Sequence, residues 1–427
     1  MLNRTIPPLI KQASSFELIL PPLHRVVLSN GVEICLLSAG TQDVVQIEWV
    51  FYAGNAYETN NLVAVATNYL IKNGTAKHTA YEINEFFDFY GAFLQRDCYN
   101  ETATVTLNCL NKHAEILIPK VFEILNESIF FEDELGIYKQ NMQQHLAVSL
   151  KKCDFVANRL IDTYVYGERN PYGKYSTIKD YQQLQREWLI DFHRQHYLNG
   201  RCTIFVSGKL PNGIEKVIEK YFGQWPQSKT RETYPTITNI QAAQQKKYRI
   251  VNDEQGVQGA IRIATHFPNR HHPDFAKVMV LNTLFGGFFG SRLMNNIRED
   301  KGYTYGIHSY IQNHIAHTAW VIATEAGREV CEATIKEVYH EMNILCTEFV
   351  DEEELTVVRN FMIGSILGDL DGPFQIMSRW KNIILNGLTE EYFYRSIDVI
   401  KTITATELQV LAQKYFEKEK WYELVVV

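Results

Sequence analysis

A self-repetition at a spacing of 220 residues constrains this 427-residue chain more than any other feature. FFEDELGIYKQNM (130–142) recurs as FVDEEELTVVRNFM (349–362), aligning Glu134-Leu135 with Glu354-Leu355, Lys139 with Arg359 and Met142 with Met362. RQHY (194–197) is echoed by AQKY (412–415). Self-similarity at a fixed offset means one supersecondary unit used twice. The chain therefore reads as two copies of an α+β unit, each of roughly 200 residues, a common domain size.

The element pattern says what that unit contains. HRVVLSNGVEICLLSA (24–39) places Asn30-Gly31 between apolar runs, a strong hairpin signal. VVQIEWVFYAG (44–54) reads as a buried strand and 61–75 as a helix. Thr79 and Glu82 form a capping box before Ile83, Phe86, Phe87 and Tyr90 at helical spacing, with Gly91 as C-cap. A strand follows at 101–110, then helices over 114–127, 133–152, 155–166 and 177–197, and a strand at 202–208 before NGIEKVIEKYFGQW. The stretch 226–247 is polar, holds two prolines and lacks a sustained period, so it reads as a linker. Beyond it the order recurs: strand 259–267, helices 275–287 and 291–302, strands 304–312 and 318–326, helices 328–346 and 352–368, a helix boxed by Thr404 and Glu407, and the strand ELVVV. The expected fold is α+β, two homologous domains (15–225 and 248–427), each an antiparallel or mixed sheet with helices packed on one face.

Composition excludes several function classes. Lys and Arg number 42 against 49 Asp and Glu, a net charge of −7, which lacks the basic footprint of a nucleic-acid binder. Seven scattered cysteines without a CxxC argue against a disulfide framework or a cysteine-rich zinc site and for a reducing, cytoplasmic setting. No stretch reaches the roughly 18 apolar residues of a membrane helix. His193 and His196 sit at i, i+3 on a helix with no carboxylate or cysteine to complete a metal set, and read as a solvated or partly packed face. His271-His272 and His314-x-x-His317 read as exposed loops, and Asp351–Glu354 as a helix N-terminal charge cluster.

Three stretches in this order, with the duplication, carry a resemblance. VLSNGVEICLL (27–37), KNGTAKHTAYEINEFFDFYGA (72–92) and GGFFGSRLMNNIREDKGYTYGIHS (286–309) are similar to the opening hairpin, the segment after the metal motif and the glycine-rich loop of the insulinase/pitrilysin (M16) metallopeptidases. The chain resembles the short two-domain members related to mitochondrial processing peptidase subunits, which implies an M16/LuxS-like metallohydrolase fold. The resemblance also implies where chemistry should sit. Active members carry H-x-x-E-H on the helix before the Gly-Thr turn, two histidines holding zinc and a glutamate activating its water. Counting back from Gly74-Thr75, those positions fall on Val65, Asn68 and Tyr69, and the third ligand position falls near Gln144, or His145 with a slip of one. None of Val, Asn and Tyr restores that chemistry, so no zinc is expected on this chain.

The second half keeps what the family places opposite the metal. Arg298 and Tyr305 have the spacing of the family's arginine and tyrosine, which implies donors for a peptide carbonyl and its developing oxyanion. Gly286 and Gly287 are the substrate-binding candidates, since glycine lets backbone approach a ligand. Leu94-Gln95-Arg96-Asp97 replaces the family's usual Asn-Ala on the substrate-lining strand, although main-chain strand addition needs no particular side chain. The expected function is a zinc-less subunit, inactive alone, of a heterodimeric M16-type peptidase acting on unfolded peptides, with zinc on a partner homologue. A self-dimer is the other partner option, and the alternative function is an inactive homologue serving as a structural or peptide-binding scaffold. No Ser/His/Asp or Cys/His grouping recommends an independent hydrolase.

Overall fold

The computed structural model describes residue 12, residues 15–225, residue 237 and residues 240–427. Most of the expected linker, 226–236 and 238–239, lies outside the described residues. The first half runs β1 (His24–Val27), β2 (Glu33–Ser38), β3 (Val44–Phe51), α1 (Val63–Leu70), α2 (Ala80–Phe89), β4 (Phe93–Cys98), β5 (Ala103–Leu110), α3 (Ala114–Glu127), α4 (Glu132–Ser149), α5 (Cys153–Tyr166), α6 (Ile178–Gln183), α7 (Arg186–His193), β6 (Cys202–Gly208) and α8 (Ile214–Phe222). The second runs β7 (Lys247–Ile250), β8 (Gln258–Phe267), α9 (Phe275–Asn282), β9 (Thr304–Asn313), β10 (Thr318–Gly327), α10 (Cys331–Thr347), α11 (Glu352–Gly368), α12 (Pro373–Leu385), α13 (Glu390–Thr402), α14 (Ala405–Tyr415) and β11 (Tyr422–Val426).

The duplication is exposed by strand order. The first sheet is β1-β2-β6-β3-β5-β4 and the second β7-β11-β8-β10-β9. Without β1 the two are the same arrangement, each with one parallel pair (β2 with β6, β7 with β11) in an otherwise antiparallel sheet. The 220-residue offset carries the starts of α4, α5 and β6 onto those of α11, α12 and β11. The α+β reading of two mixed sheets with packed helices therefore holds.

Local chemistry explains most elements. Thr79 Oγ1 accepts from Glu82 N while the Glu82 carboxylate accepts from Thr79 N, the reciprocal box expected from sequence. Gly31, at φ +94°, makes the β1–β2 turn possible. The central strands β3, β5, β6, β8 and β11 are buried nearly throughout because both sheet faces are covered. Along β2, Ile34 and Leu36 face the core built with α1, α3, α7 and α8, whereas Cys35 and Leu37 join the core of the second half.

Each half covers the other's sheet with one helix. α5 lays Val156, Ala157, Ile161 and Val165 on Ala260, Ala264, Val321 and Leu424 of the second sheet, and α12 packs on β2 and β6 of the first. These are equivalent helices of the repeat, so the exchange is reciprocal. An N-terminal strap adds to it: Leu18 and Leu20 are buried in the second core, Lys401 Nζ donates to Phe16 O at 3.0 Å and Trp380 Nε1 to Pro21 O at 2.8 Å. α12 and α13 escaped the sequence reading altogether. The expected single helix at 177–197 is broken at Leu184-Gln185 into α6, α7 and a π-type turn over Arg194–Leu198.

The α5 exchange buries a carboxyl. Asp162 accepts from Gln312 Nε2 at 3.4 Å, with Tyr166 on its own helix and Tyr310 on the sheet nearby, and burial pushes it up to about 7. The folded protein keeps this proton where an unfolded Asp has lost it, so the contribution to stability declines as pH rises from about 4 to about 7. Asp162→Asn should flatten that slope and raise the melting temperature at pH 8 more than at pH 5, as thermal unfolding at the two pH values would measure.

Among the described residues no helix is long and apolar enough to cross a membrane. The seven cysteines are unpaired.

Candidate functional site

α1 is the helix on which the metal motif would lie, and it is anchored from below by charge. Leu62 precedes it with φ +72°, a strained conformation for a branched side chain. The Glu58 carboxylate then accepts from Leu62 N at 3.2 Å and Ala64 N at 2.9 Å, satisfying first-turn donors. Lys174 Nζ holds Glu58 at 2.6 Å and Asn55 O at 2.9 Å. The Glu58 side chain is 1% exposed, and burial pushes its carboxyl up despite the pull of Lys174 and the two amides.

The three motif positions are all accounted for on α1. Val65 is partly exposed and offers no donor atom. Asn68 is buried; its Nδ2 donates to Asp97 O at 2.6 Å and Thr104 O at 3.4 Å, tying α1 to β4 and β5. Tyr69 is 42% exposed and packs on Tyr138 of α4, ring centroids 4.9 Å apart. Arg96, from β4, places its guanidinium 5.1 Å from the Tyr69 ring centroid and donates to Tyr69 O and, at 3.3 Å, to Asn73 Oδ1. On α4, the residue seven positions beyond Tyr138, and so on the same face, is His145 rather than Gln144. Both are exposed.

These side chains do not fit a zinc centre. Such sites use cysteine, histidine or carboxylate ligands, whereas here an aliphatic side chain, a committed amide and a ring under a guanidinium stand in their place. The surroundings are cationic: burial and Arg96 together hold the Lys72 ammonium below its usual value. Among the described residues no three His, Cys, Asp or Glu side chains converge where they could hold a metal ion.

In the second half the glycine-rich loop packs against β9. A Cβ on buried Gly286 would lie 2.6 Å from Ser309 Cβ, so the close backbone approach it permits is to β9; Gly287 is exposed. Arg298 lies in a π-type turn, Met294–Asp300, rather than the α-helix expected, and Gly302 at φ +66° ends it with its N–H on Arg298 O at 3.1 Å. Its guanidinium lies over Phe289, 4.6 Å from the ring centroid. Nη1 approaches Glu299 Oε1 at 3.1 Å without hydrogen-bond alignment. Tyr305 is 92% exposed beside the register shift between β9 and β10. No hydrogen bond joins Arg298 to Tyr305 in this arrangement.

Between the halves lies a cleft of about 520 Å³, lined by the β4–β5 turn, the β9–β10 turn and α12. Its wall is a polar clasp. Asn100 Nδ2 meets His314 Nδ1 at 3.0 Å, His314 stacks on Tyr172 at 4.1 Å, and Glu101 accepts from the Tyr172 hydroxyl and from Ile315 N at 3.0 Å. His314 and His317 are thus partly buried and not the exposed loop residues expected; burial, helped by His317, pushes His314 down to about 4. His193 and His196 are likewise buried, His193 Nε2 lying 2.8 Å from Leu125 O, and burial pushes both down to about 4. Of the other expected loop pair, His271 is exposed and His272 half-buried. Sequence reading named Arg96 on the substrate-lining strand but missed its reach to Tyr69, and missed the Glu58–Lys174 anchor and the clasp, whose partners are far apart along the chain and leave no local pattern.

β4 and β9 are the free edges at equivalent ends of the two sheets. The profile described as Peptidase M16 inactive domain matches residues 183–362. An uncharacterized zinc protease of Bacillus subtilis, YmxG, is 22% identical over 95% of this chain and 98% of its own length. A second B. subtilis relative, named "probable inactive metalloprotease YmfF", is 27% identical over 62% of each chain. The crystal structure of a peptidase M16 inactive domain from Pseudomonas fluorescens superimposes with a TM-score of 0.85 at 21% identity, covering 95% of this chain and 98% of that one. Residues 183–362 thus match the peptidase M16 inactive-domain profile, and over nearly its whole length the chain has the fold of a solved M16 inactive-domain protein.

Proposed function

We propose that this chain is the metal-free subunit of a two-chain M16-type peptidase. A zinc-bearing homologue would face it across a chamber that confines an unfolded peptide, whereas a dimer of this chain would be a non-catalytic, peptide-binding scaffold. The observation that carries the reading is local: α1 keeps its place beside the free edge β4, while Val65, Asn68, Tyr69 and Arg96 fill the positions a zinc site would need. Arg298 and Tyr305 are the proposed catalytic contribution, as donors to the substrate carbonyl and the oxyanion formed at the partner's zinc. Main-chain pairing along β4 would hold an extended peptide without needing particular side chains. The unpaired cysteines fit a reducing, cytoplasmic setting.

The test is reconstitution. This chain and a zinc-bearing homologue from the same source are purified separately and mixed. Cleavage of an unstructured peptide should be absent with this chain alone and should rise well above the partner's own rate in the mixture. Chelator-sensitive cleavage by this chain alone, or a mixture no faster than the partner, would overturn the reading.

A further inference from the structure

A second cavity, of about 210 Å³, opens among α9, α11, α12 and α13, away from α1 and from the Arg298 loop. Its walls are apolar: Ala276, Met279, Met362, Ile383, Phe393 and Ile397. Two arginines line it as well. Arg379 donates to Asp369 Oδ2, and its Nε is buried without an acceptor. Arg270 differs from most arginines of the chain: it is half-buried, its Nε is buried without an acceptor, and among the described residues it has neither a hydrogen bond nor an ion pair, only a loose approach to the Phe275 ring at 5.7 Å. Its Nε is thus a buried donor without an acceptor and its terminal nitrogens hold no anion among the described residues, and planar guanidinium donors match a carboxylate.

The position of Arg270 says which carboxylate. Arg270 and Asn382 line this apolar cavity and also the cleft between the halves. A group held by Arg270 would therefore have its apolar part in the helical pocket and the rest of its chain in the cleft. A dry cavity of about 150 Å³ lined by aliphatic and aromatic side chains holds a benzene ring, so this pocket has room for one large apolar side chain. We infer that Arg270 and this pocket form a subsite for the C-terminal residue of a peptide, the free carboxylate on Arg270 and an apolar last side chain among Met279, Met362 and Phe393. The inference rests on the proposed binding of an extended peptide along β4, whose turn into β5 lines this cleft, and adds a substrate class to it: peptides with a free C-terminus ending in a residue such as Phe or Leu.

The full chain alone, without partner or turnover, is titrated with a fluorescent peptide ending in Phe, with the same peptide amidated at its C-terminus, with one ending in Asp, and with 3-phenylpropionate. The free Phe acid should bind at least tenfold more tightly than the amide and the Asp peptide, and Arg270→Gln should remove that preference while leaving the melting temperature nearly unchanged. Ala276→Leu, which narrows the pocket without touching Arg270, should weaken the Phe peptide and spare the amide. Equal affinity for acid and amide in the unaltered chain would overturn the subsite, a comparison that needs no variant to fold. Tight 3-phenylpropionate binding with none by the peptides would overturn the peptide assignment. Because no cleavage is measured, failure here leaves the reconstitution result standing, and failure of reconstitution leaves this binding result readable.

Discussion

Replacing Arg298 with alanine in the reconstituted pair should lower the turnover rate about a hundredfold, with a much smaller change in the Michaelis constant, the signature of a donor used mainly in the transition state. The local structure is consistent with a side chain held ready and not consumed in packing. Phe289 supports the guanidinium from below, and the contact to Glu299 lacks the alignment of a bidentate pair, so donors remain for a substrate oxygen. Tyr305 is almost wholly exposed on the edge strand, where burying it against a peptide and a facing subunit would give its hydroxyl an anionic partner. Tyr305→Phe should cost a similar factor, and the double variant should lose less than the product of the two, because donors sharing one oxyanion are coupled. Arg298→Lys should recover only part of the rate, since an ammonium lacks the planar fork. Unchanged turnover in both single variants would remove the two residues from the chemistry and leave this chain a wall of the chamber.

What the sequence disclosed, and what it hid, follows the range of the interactions. The Thr79–Glu82 box, the Asn30-Gly31 turn and the strand at 202–208 are local and readable directly. The 220-residue offset was readable from the short match around Glu134 and Glu354 because α4 and α11 begin at equivalent points. Nothing local marks α5 as belonging to the other half's sheet, since an apolar helix face does not name its partner. α12 and α13 go unread because their ends are marked by Gly372-Pro373 and Asn386-Gly387, residue types that serve turns as readily as helix ends; Pro373 sits at the first helical position and Gly387, at φ +65°, follows a helix end. At the site, the loss of ligand-type residues at 65, 68 and 69 was plain from residue identity alone. The cation that replaces them was not, because Arg96 reaches Tyr69 from a strand.

Lys174→Met should destabilise the protein by about 3–5 kcal/mol, the cost of leaving one member of a buried ion pair behind. Glu58 is the member left, with its side chain almost fully out of water and its oxygens engaged with the first-turn amides of α1. Burial already pushes that carboxyl up with Lys174 in place; without the ammonium it moves further up. An acid whose folded value lies above its unfolded one contributes most at low pH and loses that contribution as pH rises. The defect should therefore be small near pH 4, grow toward neutrality, and show in urea unfolding as a midpoint that falls with pH more steeply than in the unaltered chain. Glu58→Gln combined with Lys174→Met should recover much of the loss, since a neutral amide of the same shape can still accept from α1 and carries no charge to strand. If the single and double variants were equally unstable at every pH, the cost would lie in packing around Lys174 and not in charge. The functional consequence travels through Asn68, whose amide bonds to Asp97 and Thr104 tie α1 to the β4 edge. A loosened α1 should weaken peptide binding along that edge while leaving Arg298, on the other sheet's loop, and any rate it supports at saturating peptide unaffected.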